Sequence, residues 1–570
     1  MIEAFASRAR WLCLCIMVSV AFVLIALRLI YLHIWNREAL QAVAEKSRYT
    51  FRSLYARRGN IQDSKGNLLA TTRAVITLGL DPQVLRKQDK EKFPALAKLA
   101  HIPLDVIEQA AALQLKEPKI PHQRAVRWKK LAEGLNDAEY EAILALKIKG
   151  VYGNRSFERI YPAAQQGAHI LGFVNKEGFA VGGVEQYLDF YLRGQDGWIE
   201  TESDGKRQEL AQYRERQVLP CGGCNVELYL DLNVQHLIEK KLEAIAQQYK
   251  PLSINIIVSE ASGPILALAN YPGYDPNHFS DYPLDAHRNR AITDLYEPGS
   301  AFKIVVSSAA LEERVVNLDD TFDCAKPTLF YKGKDLKLPK NYRTMGTLSV
   351  ADIVVCSSNR GMVHLAVRLG EERFYEYIKK FGFGELTGYD GLGEVRGLVR
   401  KVKDWDSLTI TRLPMGHALS VTPLQMHCAM GVIVNKGLLM KPLLIKKIQD
   451  PQGHVLAAWN PQVKHKVISA EVASELIKLL ERVTRNTKVR GVPIAYKTGT
   501  TQKIINGKYS NTQHISSSSG FIQGKNKTIL LTIVIDTPQV KGTAYGALVA
   551  APCFKELAEE LVYQLNLEAA

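Results

Sequence analysis

The sequence has little cysteine. It contains 8 cysteines in 570 residues, too few for the disulfide-dense scaffold of a small secreted protein. Cys221 and Cys224 form a single Cys-Gly-Gly-Cys, and no second cysteine pair stands at ligand spacing, so the pattern does not predict a zinc site. We interpret the pair as a tight glycine turn with two thiols, and a local disulfide stays open for an oxidising compartment.

Acidic residues are in deficit relative to basic ones. The chain has 58 Asp and Glu residues against 73 Lys and Arg residues, a formal net charge of +15 at pH 7. Such a balance favours an anionic partner: nucleic acid, a membrane face or an acidic polymer. No motif interleaves basic with aromatic residues as nucleic-acid-binding modules do, so nucleic acid is the weaker interpretation.

The overall composition is that of a globular protein. Apolar residues make up 46% and charged residues 23% of the chain, which excludes wholesale disorder and fibrous architecture. At ~150 residues per domain, the length predicts about three or four structural units with sizeable buried cores.

One long apolar run lies near the amino terminus. No charged residue occurs between Trp11 and Leu27, and after Arg28 the apolar sequence continues to Trp35. The run can cross ~30 Å of hydrocarbon if Arg28 extends to the interface. A cleaved secretory signal is the alternative, but no small-residue cleavage site follows. We therefore predict an uncleaved membrane anchor.

The anchor sets the expected topology. Arg8 and Arg10 precede it, so the positive-inside rule puts the amino terminus in the cytoplasm and the rest on the outer face of the cytoplasmic membrane. The composition changes again near residue 216. The predicted divisions are a cytoplasmic tail over residues 1–10, a transmembrane anchor over 11–35, a pedestal or dimerisation-like domain over 36–215 and a catalytic domain over 216–570.

The two exterior segments predict different folds. Residues 36–215 mix short strands and helices, an α+β pattern without a convincing catalytic constellation, and His169 is expected to be packed or hydrogen-bonded. After residue 216, Asp231 offers an N-cap to an amphipathic helix, and β-branched runs such as 528–535 predict strands. Strands at both ends with helices between them indicate a multidomain α/β protein whose antiparallel sheet is flanked by helices.

The first chemical motif is Ser300-x-x-Lys303. Pro298-Gly299 breaks the chain, and periodic apolar residues then predict a helix from about Ser300. Ser300 and Lys303 therefore share one helix face. A serine needs a base to become a nucleophile, and a lysine in a desolvated cleft can act as that base. Alone, the motif is weak, because chance occurrences are common in a long chain.

The second motif is Ser357-Ser358-Asn359. Ser349 and Asp352 resemble a capping box for a helix ending near Val355, so the motif lies at a junction between helices. There Ser357 could relay a proton and Asn359 could hold a substrate amide. Taken by itself, a Ser-x-Asn is usually a pair of turn residues.

The third motif is Lys497-Thr498-Gly499-Thr500, which follows an alternating apolar pattern typical of a strand. Gly499 permits close approach of a ligand or of the catalytic helix. Lys497 would supply positive charge, and the two threonines would donate hydrogen bonds to a substrate carboxylate. An ordinary edge strand is the alternative interpretation.

The order of the three motifs is more specific than any one of them. Ser-x-x-Lys, Ser-x-Asn and Lys-Thr-Gly in this order are typical of penicillin-recognising acyl-transfer enzymes. The sequence resembles the class B penicillin-binding proteins, which are membrane-anchored peptidoglycan D,D-transpeptidases, over nearly its whole length. Further segments that carry the resemblance are Arg58-Gly59, Tyr161-Pro162, Gly183-Val184-Glu185, Tyr271-Pro272, Val421-Thr422-Pro423-Leu424-Gln425 and Ala550-Ala551-Pro552.

The resemblance implies roles for the motif residues. Ser300 would attack the D-Ala–D-Ala amide with Lys303 as its base, and Ser357 and Lys497 would return the proton to the leaving D-alanine. The backbone N–H groups of Ser300 and Thr500 would form the oxyanion hole. Substrate-binding roles fall to Asn359, Thr498, Gly499 and Thr500. The scheme requires no metal and no cofactor.

The resemblance also implies a setting. Tyr296-Glu297-Pro298-Gly299-Ser300 and the asparagine at 359 resemble the septal, cell-division type, whereas the elongation type tends to have aspartate there. Expected ligands are stem peptides ending in D-Ala–D-Ala, with β-lactams as inhibitors. Since residues 37–215 lack a glycosyltransferase motif, a separate glycan-strand polymerase and other division proteins are the expected partners at the membrane.

The motifs are compatible with other functions. An elongation-type transpeptidase, a D,D-carboxypeptidase and a β-lactamase would use the same residues. A non-catalytic β-lactam sensor or division scaffold is the alternative from another class, although the intact Ser300, Lys303, Ser357 and Lys497 weigh against it. Ala301, Phe302 and the segment after Thr500 depart from the family pattern, and these changes could alter β-lactam affinity or the acceptor side of the cleft.

Overall fold

The computed structural model describes residues 8–41, 49–112, 126–203 and 209–569. The chain forms two compact units. The first comprises Met1–Arg57 and Gly194–Gly222, and the second comprises Arg58–Arg193 and Gly223–Ala570. The predicted helices over 105–115 and 137–148 fall on Leu104–Ala112 and Asp137–Ala145, and residues 113–115 lie outside the described ranges.

The described helices are numbered in chain order. They are α1 Arg8–Ile30, α2 Phe93–Leu99, α3 Leu104–Ala112, α4 Asp137–Ala145, α5 Ala168–Leu171, α6 Gly183–Tyr187, α7 Asp189–Leu192, α8 Leu232–Tyr249, α9 Arg290–Thr293, α10 Lys303–Glu312, α11 Val350–Val355, α12 Asn359–Leu369, α13 Glu371–Lys380, α14 Thr409–Arg412, α15 Pro423–Val434, α16 Ala470–Val483 and α17 Ala550–Gln564. Short 3₁₀ turns lie at Lys87–Lys92, Pro276–Asp281, Leu284–His287, Gly299–Phe302, Val402–Asp404 and Leu413–Met415.

The described strands follow the same numbering. They are β1 Tyr49–Leu54, β2 Ile61–Gln62, β3 Leu68–Leu80, β4 Lys129–Leu135, β5 Val151–Ile160, β6 Phe173–Val174, β7 Ala180–Val181, β8 Gly197–Ser203, β9 Glu209–Val218, β10 Asn225–Leu228, β11 Ser253–Glu260, β12 Ile265–Tyr271, β13 Thr321–Asp323, β14 Thr328–Tyr331, β15 Lys334–Lys337, β16 Thr347–Ser349, β17 Leu438–Met440, β18 Ile445–Gln449, β19 Val455–Ala458, β20 Val463–Lys466, β21 Lys488–Val489, β22 Val492–Ile505, β23 Lys508–Gln523 and β24 Thr528–Asp536.

The first unit contains the apolar segment. α1 continues into a π-helical turn at Tyr31–Trp35, and this stretch of 28 residues is long and apolar enough to cross a membrane. The unit also contains an antiparallel sheet in the order β1-β8-β9. The apolar helix thus fits a single-pass membrane anchor.

A six-stranded antiparallel sheet in the order β12-β11-β24-β23-β22-β21 is central to the second unit. Its β24 is buried on both faces, and successive side chains point to opposite sides. Ile533 and Ile535 pack with α8 and α17 on one face, while Leu530 and Val534 pack with α10–α13, α15 and α16 on the other. The antiparallel sheet flanked by helices is therefore confirmed.

A second sheet joins the amino-terminal part of this unit to its carboxyl-terminal part. Its order is β19-β18-β10-β2-β3-β4, with β5 also paired to β3. Val226 of β10 pairs in parallel with Ile61 of β2, and both side chains lie in one buried core with residues of β11 and β12. His169 is buried against this core, and its Nε2 lies 2.8 Å from the carbonyl oxygen of Ala286.

Candidate active site

The segment that carries Ser300 is held between a tight turn and a strand. Gly299 has φ +57°, a conformation that L side chains rarely adopt. A Cβ at this position would lie 2.9 Å from Thr501 Cγ2 and 3.0 Å from the carbonyl oxygen of Thr500. A 3₁₀ turn at Gly299–Phe302 follows, and α10 begins at Lys303, three residues later than the predicted start. The predicted helix is thus present, but Ser300 lies on its entry turn, directly against β22.

Lys303 joins the first motif to the second. Its side chain is buried, and Nζ donates to the carbonyl oxygen of Ser357 at 2.6 Å, to Ser357 Oγ at 3.1 Å and to Asn359 Oδ1 at 2.7 Å. The three acceptors come from the junction between α11 and α12. The ammonium group of the first motif is therefore hydrogen-bonded to the second motif, more than fifty positions later in the chain.

The junction itself has the predicted cap at Ser349, a second cap at Ser358 that the sequence did not predict, and one strained residue. Ser349 Oγ accepts from Asp352 N at 3.0 Å and caps α11, while Ser358 Oγ accepts from Gly361 N at 3.1 Å and caps α12. Between them Ser357 has φ +52°. A non-glycine residue in the left-handed region costs free energy and is typical of functional sites. This conformation lets both the carbonyl and the hydroxyl oxygens of Ser357 face Lys303.

The third motif lies on β22, as predicted. Lys497, Thr498, Gly499 and Thr500 pair with four serines of β23, Ser516–Ser519. A Cβ on Gly499 would lie 2.4 Å from the carbonyl oxygen of Pro298, so only glycine allows the strand to approach the turn before Ser300. On the same strand Thr501 Oγ1 donates to the carbonyl oxygen of Glu297 at 2.9 Å. The strand is thus packed tightly against the turn that carries Ser300, which we call the nucleophile turn after the role that the sequence predicts for Ser300.

Burial and charge change the acidity of both lysines. Desolvation lowers the pKa of Lys303 well below its usual value, and the positive charge of Lys497 lowers it further. Burial also lowers the pKa of Lys497 to about 8. Desolvation lowers the pKa of the neighbouring His417 to about 4, so its imidazole is neutral near pH 7. Lys303 is therefore the group in this cleft that is best suited to accept a proton.

The three motifs lie at one cleft, but Lys497 Nζ has a hydrogen bond only to the carbonyl oxygen of Thr498, at 3.4 Å, among the described residues. Ser300 is half-buried, and within the described ranges no hydrogen bond joins its hydroxyl to Lys303, Ser357 or Lys497. Catalytic hydrogen bonds often tighten only when substrate is bound. Asn359 is already engaged, since its Nδ2 donates to the carbonyl oxygen of Lys340 at 2.8 Å. Thr500 Oγ1 accepts from Gly546 N at 2.8 Å.

Sequence reasoning missed Asn341. Its Oδ1 accepts from the backbone N–H of Asn359 at 2.8 Å, from that of Arg360 at 3.2 Å and from Ser358 Oγ at 3.3 Å. One amide oxygen thus binds three successive residues at the start of α12. In the sequence Asn341 follows Pro339-Lys340 and looks like an ordinary turn residue, so no local signal distinguishes it.

Glu297 has a contact that its position in the first motif did not predict. Its carboxylate accepts from the hydroxyl of Tyr509 at 3.2 Å at both oxygens, and Oε1 also accepts from Ala418 N at 2.8 Å. Glu297 is buried, and desolvation raises its pKa. Tyr509 belongs to the segment after Thr500 that departs from the family pattern. The β22–β23 hairpin is therefore fastened to the residue three positions before Ser300.

A serine on a helix entry, a buried lysine of lowered pKa and a second lysine on the strand packed against that entry define a serine acyl-transfer enzyme of the penicillin-recognising class. Residues 254–559 match the penicillin binding protein transpeptidase domain, and residues 53–228 match the penicillin-binding protein dimerisation domain. The chain belongs to the penicillin-binding proteins, and the pair of domains places it in class B.

Relatives and solved structures agree with this assignment. The chain is 30% identical to stage V sporulation protein D of Bacillus subtilis over 96% of this chain and 84% of that protein. It is 28% identical to the peptidoglycan D,D-transpeptidase FtsI of Escherichia coli K12 over 98% of this chain and 92% of that protein. A peptidoglycan synthetase from Bifidobacterium adolescentis superposes with a TM-score of 0.72, at 26% identity, over 92% of this chain and 98% of the other.

Proposed function

We propose that this protein cross-links peptidoglycan stem peptides through an acyl-enzyme on Ser300. The observation that carries the proposal is the buried ammonium of Lys303, three residues after Ser300, with hydrogen bonds to Ser357 and Asn359. Burial disfavours its charged form, so the neutral amine is accessible as a base. A serine with such a base within reach is equipped for nucleophilic attack on an amide.

The reaction runs in two balanced steps. In the first, Ser300 Oγ bonds to the carbonyl carbon of the penultimate D-alanine while its proton passes to Lys303, and the C–N bond to the terminal D-alanine breaks. Ser357 and Lys497 return the proton to the leaving amine. In the second step, an amine of another stem peptide attacks the ester, and Ser300 recovers its proton. The backbone N–H groups of Ser300 and Thr500 bind the oxyanion in both steps.

The remaining motif residues bind the substrate. We assign the terminal carboxylate to Lys497 and the hydroxyls of Thr498 and Thr500, and the packing of their strand against the nucleophile turn supports this assignment. Gly499 permits that approach. Asn359 holds the substrate amide once its present hydrogen bonds to Lys303 and the Lys340 carbonyl are exchanged.

The proposed setting is the division septum. The relative FtsI and the glutamate and asparagine of the first two motifs support this role. Residues 1–10 would lie in the cytoplasm, residues 11–35 would cross the membrane, residues 36–215 would form the pedestal and residues 216–570 the transpeptidase domain outside the membrane. A separate polymerase and other division proteins would supply the glycan strands.

Labelling with a fluorescent penicillin tests the acyl-enzyme. The wild type is expected to form a long-lived covalent adduct that Ser300→Ala abolishes. Ser308→Ala is the matched control, since its hydroxyl only donates to the Ile304 carbonyl on the same helix. Labelling that survives in Ser300→Ala would refute the proposal, and rapid release of the label from the wild type would indicate a β-lactamase.

Two further measurements separate the remaining functions. Incubation with uncross-linked glycan strands should yield dimeric stem peptides, detected by mass spectrometry after digestion, whereas a carboxypeptidase would yield only shortened monomers. The septal role is tested by depleting the protein during growth and, separately, by following a fluorescent fusion of the protein as cells constrict. A fusion distributed along the lateral wall would favour the elongation type instead.

A further inference from the structure

A hairpin beside the second motif carries exposed aromatic and basic side chains. Strands β14 and β15 pair with Leu329 opposite Leu336 and with Thr328 opposite Lys337. Leu336 is buried in the core, so the opposite face of the hairpin, with Phe330 and Lys337, points to solvent. Phe330 is 71% exposed.

The chain after the hairpin continues this surface to the active site. Tyr342 is 67% exposed, and the guanidinium of Arg343 lies 5.4 Å from the centroid of its ring. Arg343 Nη2 also lies 3.7 Å from the sulfur of Cys356, the residue before Ser357. We call Phe330, Lys337, Lys340, Tyr342 and Arg343 the basic–aromatic patch.

The basic side chains of this patch outnumber the one carboxylate on the same hairpin face, that of the exposed Asp335, which lies opposite Phe330. Nearby Lys332 pairs with Glu371 at 2.7 Å and Lys326 pairs with Asp323 at 3.5 Å. By contrast, Lys337, Lys340 and Arg343 form no ion pair with any carboxylate in the described part of the chain. An excess of positive charge next to exposed aromatic rings favours an anionic ligand that also offers flat apolar faces.

The patch is connected to the catalytic cleft by hydrogen bonds. The carbonyl oxygen of Lys340 accepts from Asn359 Nδ2, and Asn341 Oδ1 accepts from Asn359 N, both at 2.8 Å. Asn359 in turn binds Lys303. A polymer bound on the patch therefore lies next to the side of the cleft that the second motif forms.

We propose that the basic–aromatic patch binds a glycan strand with uncross-linked stem peptides and presents it to the cleft. Such a strand is a polyanion, because each stem ends in a free carboxylate, and its sugar rings offer faces that pack on Phe330 and Tyr342. The proposal rests on the proposed function for its ligand. An anionic membrane has the charge but lacks the sugar rings, and its binding is an outcome of the test.

The test measures binding of the full chain in detergent to immobilised glycan strands with intact stems. Lys337→Glu/Lys340→Glu is expected to bind about tenfold more weakly than the wild type, since two favourable exposed charge contacts become repulsive. Lys240→Glu/Lys555→Glu, exposed on α8 and α17, changes the net charge equally and is expected to bind as the wild type does. Wild-type binding is expected to weaken as salt rises.

Phe330→Ala provides a second arm, because Phe330 pairs with Asp335 in the hairpin and its replacement leaves the charge unchanged. It is expected to weaken strand binding severalfold, while Phe190→Ala, at an equally exposed position on α7, has no effect. Strands stripped of their stems should bind more weakly than intact ones. The proposal would be overturned if both patch variants bound glycan strands as strongly as the wild type does. It would also be overturned if the variants bound only anionic vesicles, and not glycan strands, more weakly. The proposed function is tested separately: if it is wrong, penicillin labelling that depends on Ser300 will be absent.

Discussion

Asn341 Oδ1 accepts a hydrogen bond from the backbone N–H of Asn359 at 2.8 Å. Through this contact a residue outside the three motifs fixes the first turn of α12, where Asn359 itself binds Lys303. The side-chain oxygen replaces the missing partner of a helix N-terminal N–H group, which is the role of a capping residue. The position of the proposed base therefore depends on a side chain that touches neither Ser300 nor Lys303.

Asn341→Ala is expected to slow penicillin acylation about tenfold, because loss of this anchor lets Asn359 and Lys303 shift. It should also lower the free energy of unfolding by about 1–3 kcal/mol, as donors lose their acceptor. Acylation rate by stopped flow and Tm by calorimetry measure both effects. Asn341→Asp keeps an acceptor oxygen and should restore most of the rate; equal loss in both variants would contradict the argument.

Lys497→Gln is expected to move the rising limb of the acylation pH profile to higher pH. In the proposed mechanism acylation requires neutral Lys303, so the rate increases as pH rises through the lowered pKa of that group. The charge of Lys497 contributes to the lowering, and its removal raises the pKa of Lys303. His417 also faces Lys303, but its pKa of about 4 keeps it neutral over this range.

Lys497→Arg is the control for that shift. Its guanidinium retains the positive charge, so the limb should stay in place even if the maximal rate falls. The acylation rate constant is measured as a function of pH, and the variants are compared by the pH at the midpoint of the rising limb, not by the maximal rate. A limb at the wild-type midpoint in Lys497→Gln would show that the two ammonium groups do not interact.

Gly416→Ala is expected to impair both folding and acylation. Gly416 has φ +77°, and a Cβ there would lie 2.2 Å from the carbonyl oxygen of Gly299, immediately before Ser300. Overlap of this size forces the nucleophile turn to move, and the cost should exceed ~2 kcal/mol. Gly453→Ala has a similar φ of +94° with nothing within 4 Å, so it should show only the ~1 kcal/mol of backbone strain and wild-type acylation.

Local sequence signals predicted the elements around the site. Asp231 Oδ1 accepts from Asn233 N at 3.0 Å at the start of α8, and Ser349 Oγ accepts from Asp352 N at 3.0 Å at the start of α11. The alternating pattern before Lys497 predicted β22. These predictions succeed because capping and strand alternation act over a few residues and are decided by the side chains present there.

The contacts that assemble the site could not be predicted from such signals. Asn341 and Asn359 are separated by a strand and a helix, and Glu297 and Tyr509 by most of the domain. The start of α10 was also misplaced, since the left-handed Gly299 and its packing on β22 favour a 3₁₀ turn through Ser300. Tertiary packing decides these features, and local propensity carries no information about it.

Glu297→Gln is expected to raise Tm at pH 7. Burial raises the pKa of Glu297 in the folded state, so between its ordinary pKa of 4.5 and that raised value the folded protein binds more protons than the unfolded chain. The free energy of unfolding therefore falls as pH rises through this interval, and an uncharged glutamine avoids the loss. The amide oxygen can still accept from Tyr509.

The comparison over pH makes this prediction specific. Below pH 4.5 the glutamate is protonated in both states, so the advantage of Glu297→Gln should vanish there. Glu177→Gln, at an exposed turn position, serves as the control and should not change Tm. A variant that is less stable than the wild type at pH 7 would mean that the charged hydrogen bonds to Tyr509 and Ala418 outweigh the burial cost.

A buried ion cluster lies in the amino-terminal part of the second unit. Glu185 is fully buried, with Oε2 at 2.7 Å from Arg58 Nε and Oε1 at 2.7 Å from Arg159 Nε. The hydroxyl of Tyr161 lies 3.3 Å from Oε1, and Asp189 pairs with Arg58 at 2.6 Å. Two buried guanidinium groups thus share one buried carboxylate.

Glu185→Gln should lower the free energy of unfolding by about 3–5 kcal/mol, because removing one partner of a buried ion pair leaves uncompensated buried charge. Asp137→Asn breaks the exposed pair between Asp137 and Arg155 and should leave stability unchanged within error. Denaturant unfolding monitored by fluorescence, with m-values compared to exclude a change in the unfolded state, measures both. If the two variants proved equally mild, the cluster would contribute no more to stability than an exposed surface pair does.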